Sequence, residues 1–343
     1  MELHEVADRE FARKGFMVVR AAFKPSEVAE LHERADAIVA DHDAYQRRYR
    51  EETERIEAEH PMPGAPDPTA QFNELRRRLP DFPEIEVSSR HLRRQNRIYP
   101  KRRRPVDPAE RRQAVSNGTA WAAFSGQING LADCDETFAR AAVHPRIAEV
   151  LRQVLAPDAR LWFDHIFAKG ALNDDPPYHG ANRFHQDGFF QFDRRTVTCW
   201  LALDAVTEEN GPFHYIPLDA RPESAGPERA GYGRFDFDDL GPEGLARELL
   251  DAAEVITLEP GDLAVHDRWV LHATGPNESA QPRCGWALHY IDARARLGEF
   301  DRPRPDATRF AKVTAEGYHI RNGKLTGNRA WPLVCGQAVP GGI

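Results

Sequence analysis

A chain of 343 residues with 14 histidines and 26 aspartates is expected to contain a His-x-Asp triplet about once by chance, and this one contains His185-Gln186-Asp187. Residues two apart on a strand point to the same face, so this imidazole and this carboxylate can reach one ion together. His272 follows 85 residues after Asp187, just ahead of Ala273-Thr274-Gly275. Two histidines and one carboxylate make the facial triad that holds iron(II) and leaves positions open for further ligands. Arg283 lies 11 residues beyond His272. A guanidinium there can grip a carboxylate through two parallel hydrogen bonds, as anchoring a dicarboxylate beside the metal requires. Each residue also has a plainer reading. His185 and Asp187 could instead form a hydrogen-bonded pair on a strand face, and Arg283 could be a structural ion-pair partner, though the whole set favours the functional reading.

These side chains need elements to hold them. From about residue 159, short runs rich in β-branched and aromatic residues recur at 161–169, 183–187, 196–203, 212–217, 254–258, 263–266 and 283–291. Turn formers separate them, among them Asn210-Gly211, Pro260-Gly261-Asp262 and Gly275-Pro276-Asn277. Upstream the pattern is helical. A short amphipathic helix leads into a strand around 16–20, and Pro25-Ser26 opens a helix with Ser26 as N-cap and Val28, Leu31, Ala35 and Ile38 along one face. That helix is expected to run on through a highly charged stretch to His60, where PMPGAPDP breaks it. Another helix is expected at 70–80, and one more starts near His144-Pro145 with Ile147, Val150, Leu151, Val154 and Leu155. Helices first and many short strands afterwards predict a mainly β core with helical support. The expected layout is one catalytic domain over 1–343. It has a helical N-terminal part (1–158) with a charged, Arg-rich insertion at about 41–115, a β core over 159–292 and a wrapping tail over 293–343.

Composition narrows the classes. Apolar residues make up 41% and charged residues 29%, ordinary for a globular protein with a sizeable core. No apolar run approaches the ~18 residues that span a bilayer, and residues 1–15 lack the basic start and apolar stretch of a secretory signal. Cys134, Cys199, Cys284 and Cys335 lie far apart, without a CxxC pair, so a reducing cytoplasm is the expected compartment. Net charge is −8, which argues against general affinity for nucleic acid. Within that acidic chain, residues 90–112 hold ten Lys or Arg against two acids. Two readings stand for this stretch. One is a lid that attracts an anionic substrate (a phosphate, a CoA ester or a carrier-bound acyl group), and the other is a solvated loop in a chain where 40 of 46 basic residues are arginine.

The motifs in order are His185-x-Asp187, the WLALD run at 200–204, the Asn210-Gly211 turn, Gly261-Asp262, HATGPN at 272–277 and Arg283. That order resembles the phytanoyl-CoA dioxygenase family of iron(II)/2-oxoglutarate oxygenases. EFARKGFMVVRAAFKPSEVAELHERADAI is similar to the family's entry segment, and LWFDHIFAKG to the strand before its His-x-Asp motif. The resemblance covers roughly 8–40 and 144–292. It implies a double-stranded β-helix (jelly-roll) core with flanking helices. It also implies oxidation of a small organic substrate with O2 and 2-oxoglutarate, giving succinate and CO2. On the matching positions His185, Asp187 and His272 would be the iron ligands. Arg283 would hold the distal carboxylate of 2-oxoglutarate with help from Thr274, Trp200 would lie beside that cosubstrate, and His165 would stand near it. Halogenases of this type have a small residue in place of the carboxylate, so Asp187 favours hydroxylation or desaturation. One departure is Gly211-Pro-Phe-His-Tyr-Ile-Pro-Leu-Asp219, where members usually carry a run ending near Gly-Ser-His.

Other assignments are plainer. Trp200 and Thr274 also fit a core and a turn position, His165 also fits a satisfied core histidine, and His214, His266 and His289 read as core or surface histidines. Pocket walls are expected from 170–182, Phe189, Phe190 and the loop around 267–269. Two further classes remain open on sequence: a cupin-like metal enzyme that uses no 2-oxoglutarate, and a non-catalytic binding protein on the same scaffold. Arg283 argues against the first and the intact triad against the second.

Overall fold

The computed structural model describes residues 3–59, 126–169, 182–185, 187, 194–220, 247–275, 277, 279, 281–295, 319–321, 324–326 and 332–337. The helix expected at 70–80, the Arg-rich stretch at 90–112, nearly all of 170–182, and Phe189 and Phe190 lie outside the described residues.

At the N-terminus α1 (Leu3–Lys14) leads into β1 (Phe16–Val19). Next comes α2 (Pro25–Ala40), whose buried Val28, Leu31, Ala35, Ile38 and Val39 follow helical spacing. The N-cap of α2 is Lys24, not Ser26. Pro25 takes the first helical position, where its missing N–H costs nothing, and the Glu27 carboxylate accepts the Lys24 N–H at 2.7 Å. The long helix expected to reach His60 is two helices. Residue Asp41 leaves helical geometry (φ −126°, ψ 57°) and its Oδ1 accepts the Ala44 N–H, so it ends α2 and caps α3 (His42–Glu59). Three further helices follow β2 (Gly126–Asn129): α4 (Leu131–Cys134), α5 (Glu136–Ala142) and α6 (Pro145–Val154). The α6 N-cap is His144, whose Nδ1 accepts the Arg146 N–H, as the His144-Pro145 start suggested.

The strands that follow are β3 (Ala159–Lys169), β4 (Asn182–His185), β5 (Thr196–Ala202) and β6 (Phe213–Ile216). After the short α7 (Arg247–Asp251) come β7 (Glu254–Ile256), β8 (Leu263–Asp267), β9 (Leu271–Thr274) and β10 (Arg283–Asp292). The tail adds β11 (His319–Arg321), β12 (Lys324–Thr326) and β13 (Leu333–Cys335). All described pairings are antiparallel. The large sheet has the order β1-β8-β5-β10-β3-β13, with β2 also on β3, and the small sheet has the order β4-β9-β6-β7. Two antiparallel sheets with helices packed outside make the expected jelly roll. Strands β5 and β10 are buried along their whole length, because one face meets the helices and the other the interior between the sheets.

The outer face of the large sheet packs on the helices through Leu31, Phe138, Leu151, Ile166, Leu288 and Trp286. Trp286 meets Phe138 edge-on at 4.9 Å and donates its indole N–H to Asp164 at 2.9 Å. Asp164 also accepts the Leu131 and Ala132 N–H groups at the start of α4. Burial pushes its carboxyl up to about 6 against those three donors.

A second tie joins α2 to the strands of the site. His32 bonds Asp204 at 3.0 Å, and the other Asp204 oxygen accepts the Cys284 N–H at 2.8 Å. The hydrogen bonds to Asp204 and then Asp36 raise the His32 pKa to about 10. Because the folded value lies above the unfolded one, this tie is fully stabilising below about 6.5 and is lost as pH rises towards about 10. In urea titrations across that window, the stability gap between wild type and His32→Gln is expected to narrow steadily. A gap that stays constant or widens contradicts the charged pairing.

Candidate metal centre

The register of the large sheet decides which side chains meet. Phe16, His266, Thr198, His289 and Phe163 lie directly opposite one another across β1, β8, β5, β10 and β3. Two residues along, the next row is Val18, Ala264, Trp200, Ala287 and His165. Beyond it Gly285 opposes Ala202 and Phe167, and Arg283 opposes Lys169. A two-residue step keeps all of these on one face of the sheet. On the small sheet, His185, His272 and Tyr215 form one row across β4, β9 and β6.

Asp187 sits between these rows. Its Oδ2 accepts from Thr198 Oγ1 at 2.6 Å and lies 2.9 Å from His266 Nε2, while its Oδ1 is 3.8 Å from His272 Nε2. Candidate ligand atoms of Asp187, His266 and His272 all lie within 4.8 Å of one another. Burial pushes the Asp187 carboxyl up, but His272, His266 and His289 around it outweigh that and hold it well below the ordinary carboxylate range. It is therefore ionised, as a metal ligand must be. The Nδ1–H of His272 donates to the Val270 carbonyl at 3.0 Å, which fixes the tautomer with the Nε2 lone pair on the Asp187 side.

Two sequence expectations need correction here. Asp187 is not on the strand with His185, because β4 ends at His185 and Asp187 lies in a bend beyond it. The strand runs expected from the sequence do not include 271–274, yet His272 stands inside the four-residue β9. His266 and His289, which read as core or surface histidines, are both buried. Both face Asp187, His289 with its Nδ1 3.9 Å from Oδ2. His214 is half-buried on β6, and burial followed by the nearby Lys169 lowers its pKa.

Of the residues expected around a cosubstrate, Arg283, Trp200 and His165 lie further along the same face of the large sheet, and Thr274 lies on β9 of the small sheet. Arg283 is buried, with its guanidinium 5.0 Å above the Trp200 ring and one nitrogen donating to the Gly211 carbonyl at 2.6 Å. Burial lowers its pKa to about 10, so it stays charged at neutral pH. Its Nε is buried without a hydrogen-bond partner, and no carboxylate among the described residues forms an ion pair with it. A buried guanidinium without a counter-charge is costly, so this position suits an anionic ligand. Trp200 lies flat over Gly285, where an added Cβ would fall 1.7 Å from its Cζ2. Gly211 has φ +95°, and a Cβ there would come within 2.7 Å of the Gly275 carbonyl and 3.0 Å of the Lys169 side chain, so the Asn210-Gly211 turn is what lets these two approach.

Thr274 is buried on β9 and its hydroxyl accepts from Lys169 Nζ at 2.9 Å. Lys169 is a second buried basic side chain at this end. Burial and then Arg283 push its pKa well below the ordinary lysine range. His165 stacks on His289 at 5.3 Å. Its Nδ1 is buried without a hydrogen-bond partner, and burial followed by His289 lowers its pKa to about 3, so it is a neutral imidazole. The loop around 267–269 is fixed by Asp267, which accepts the Trp269 N–H and pairs with Arg195 at 2.9 Å. Among the described residues no helix is long and apolar enough to cross a membrane.

The family model for phytanoyl-CoA dioxygenase matches residues 11–285. Methylphosphonate hydroxylase of Gimesia maris is 31% identical over 191 residues, covering 50% of this chain and 69% of that protein. Among solved structures, the non-heme α-ketoglutarate-dependent epimerase SnoN of nogalamycin biosynthesis has a TM-score of 0.54 at 18% identity, covering 96% of this chain and 98% of its own. The α-ketoglutarate-dependent carbocyclase SnoK of the same biosynthesis has a TM-score of 0.51 at 14% identity, covering 96% and 95%. At these identities the two structures establish a shared fold. With the family match spanning most of its length, the chain belongs to the phytanoyl-CoA dioxygenase family and is an oxygenase of that family.

Proposed function

We propose that this oxygenase uses iron(II), O2 and 2-oxoglutarate to hydroxylate or desaturate a small organic molecule, releasing succinate and CO2. The observation that carries the reading is the meeting of residues distant in sequence. Asp187 Oδ1 lies 3.8 Å from His272 Nε2, and His272 pairs across the small sheet with His185. In this reading His185, Asp187 and His272 hold the metal, and their donor types, two imidazoles and one carboxylate, suit iron(II). Bound iron would supply the activation of O2 that no side chain can perform.

The chain's own residues do the rest. Asp187 supplies an ionised oxygen, and the Val270 carbonyl keeps the His272 lone pair on the metal side. Arg283 takes the distal carboxylate of 2-oxoglutarate, a counter-charge that no carboxylate among the described residues supplies through an ion pair. Thr274 and Lys169 line that end, Trp200 forms the wall beneath Arg283, and neutral His165 offers Nδ1 near the cosubstrate. Burial of these groups excludes water from the reacting region. The likeness to a methylphosphonate hydroxylase supports hydroxylation as the outcome.

The test is an anaerobic titration of iron-loaded protein with 2-oxoglutarate. A metal-to-ligand absorption band that saturates at one equivalent per iron is the expected result. Iron binding with no such band at any cosubstrate concentration overturns the assignment of 2-oxoglutarate.

A further inference from the structure

We propose that Asp204 and His32 are positioning residues for Arg283, tying helix α2 to the start of β10 so that the guanidinium stands where a distal carboxylate can reach it. The inference rests on the reading of Arg283 as the cosubstrate anchor.

Pairing between β5 and β10 ends where Ala202 opposes Gly285, and residues 203 and 204 bend away from the ladder. One step further along β10, Cys284 is held by that bend. Its carbonyl accepts the Leu203 and Asp204 N–H groups at 3.3 and 3.2 Å, and its N–H donates to Asp204 Oδ2 at 2.8 Å. The Asp204 carboxylate thus stands where a strand carbonyl would otherwise accept. Cys284 is fully buried, so its N–H has no water to turn to if that carboxylate is removed. Arg283, its neighbour, is the first residue of β10 and pairs with Lys169 of β3. On the β5 side, Asp204 holds the backbone one peptide away from it. The same short run supplies Trp200, whose ring lies 5.0 Å beneath the guanidinium. The stretch 200–204 therefore holds Arg283 twice, by a ring under its side chain and by a carboxylate on its backbone neighbour.

Asp204 is fixed in turn from the helical layer. Its Oδ1 lies 3.0 Å from His32 Nε2, and His32 Nδ1 lies 3.5 Å from Asp36 Oδ2, one turn further along α2. Two ring nitrogens that each face a carboxylate both donate, so His32 is an imidazolium, and its pKa of about 10 keeps it one at neutral pH. Leu31, beside it, is buried in the core shared by α2 and the large sheet, which anchors the helix that carries the pair. Two parallel hydrogen bonds to a carboxylate demand a defined guanidinium position, and a shift of ~1 Å at such a contact is costly. The tie from α2 through His32 and Asp204 to Cys284 holds that position.

The experiment loads the full-length protein with iron(II) under anaerobic conditions and follows the metal-to-ligand absorption band. Each variant is titrated with 2-oxoglutarate and with 2-oxobutyrate, which has the same 2-oxo acid head and no distal carboxylate. Asp204→Ala is expected to bind 2-oxoglutarate roughly 10-fold more weakly, the scale of one hydrogen bond to a charged group, with iron stoichiometry and 2-oxobutyrate affinity unchanged. Asp204→Asn, whose amide oxygen can accept the Cys284 N–H, should recover most of the loss. His32→Ala should show a smaller loss of the same kind. It leaves the Cys284 acceptor in place, so it tests the proposal even where Asp204→Ala does not fold. Wild-type affinity for 2-oxoglutarate in both Asp204→Ala and His32→Ala, with Arg283→Ala still defective, overturns the proposal. Equal weakening of both 2-oxo acids overturns it too, since a general disturbance of the fold would not single out the distal carboxylate. Wild-type 2-oxoglutarate binding by Arg283→Ala instead removes the underlying reading of the anchor.

Discussion

Arg283→Ala is expected to keep iron(II) at wild-type stoichiometry while losing 2-oxoglutarate. The guanidinium is buried, rests 5.0 Å above the Trp200 ring, and its Nε has no hydrogen-bond partner. Truncating one partner of a buried charge pair costs about 2–5 kcal/mol, much of it the penalty of leaving the other charge unpaired. At ~1.4 kcal/mol per decade, that is roughly a 30- to several-thousand-fold weaker dissociation constant. Arg283→Lys should recover only part of this, because a point charge cannot reproduce two parallel hydrogen bonds. The measurement is the absorption band formed when 2-oxoglutarate chelates iron. A band that develops in Arg283→Ala at wild-type cosubstrate concentrations excludes Arg283 as the anchor.

Asp187→Ala is expected to lose most of its iron(II), and His185→Ala and His272→Ala likewise. Removing a ligand itself should exceed the roughly 10- to 100-fold effect of removing a ligand's hydrogen-bond partner. The alanine variant also strands two donors, Thr198 Oγ1 and His266 Nε2, which now share Asp187 Oδ2. Leaving buried donors without acceptors costs about 1–3 kcal/mol each, so Asp187→Asn, which keeps an acceptor oxygen, is the necessary companion. Both variants should fail to retain iron after gel filtration, with Asp187→Asn the more stable of the two to urea. Iron retained at wild-type affinity by either one removes Asp187 from the metal site.

Much of this was legible in the sequence, for local reasons. The buried stripe of α2, the His144-Pro145 start of α6 and most strands between 159 and 292 follow periodicity and turn chemistry that are written within ten or so residues. His185, Asp187, His272 and Arg283 stand out because few residue types can hold a metal or a dicarboxylate. What was not legible is set by contacts between distant segments. Thr198, His266 and His289 meet at Asp187 because three strands align in one register, and no window of sequence carries that register. Strand β9 was hidden because its pairing with β4 and β6 defines it, not its four residues. At Asp41 helical propensity was overridden by a side chain that caps the next helix. Lys169 was one lysine at the end of a strand until its pairing opposite Arg283 gave it a neighbour.

The central claim is that this chain couples oxidation of a small molecule to consumption of 2-oxoglutarate at an iron centre. The most direct measurement is succinate formed by purified protein under air, with iron(II) and 2-oxoglutarate each supplied or withheld. Succinate should appear only when iron, O2 and 2-oxoglutarate are all present, and it should vanish in Asp187→Ala and Arg283→Ala. No succinate from iron-replete wild type, or equal succinate with and without iron, contradicts the account.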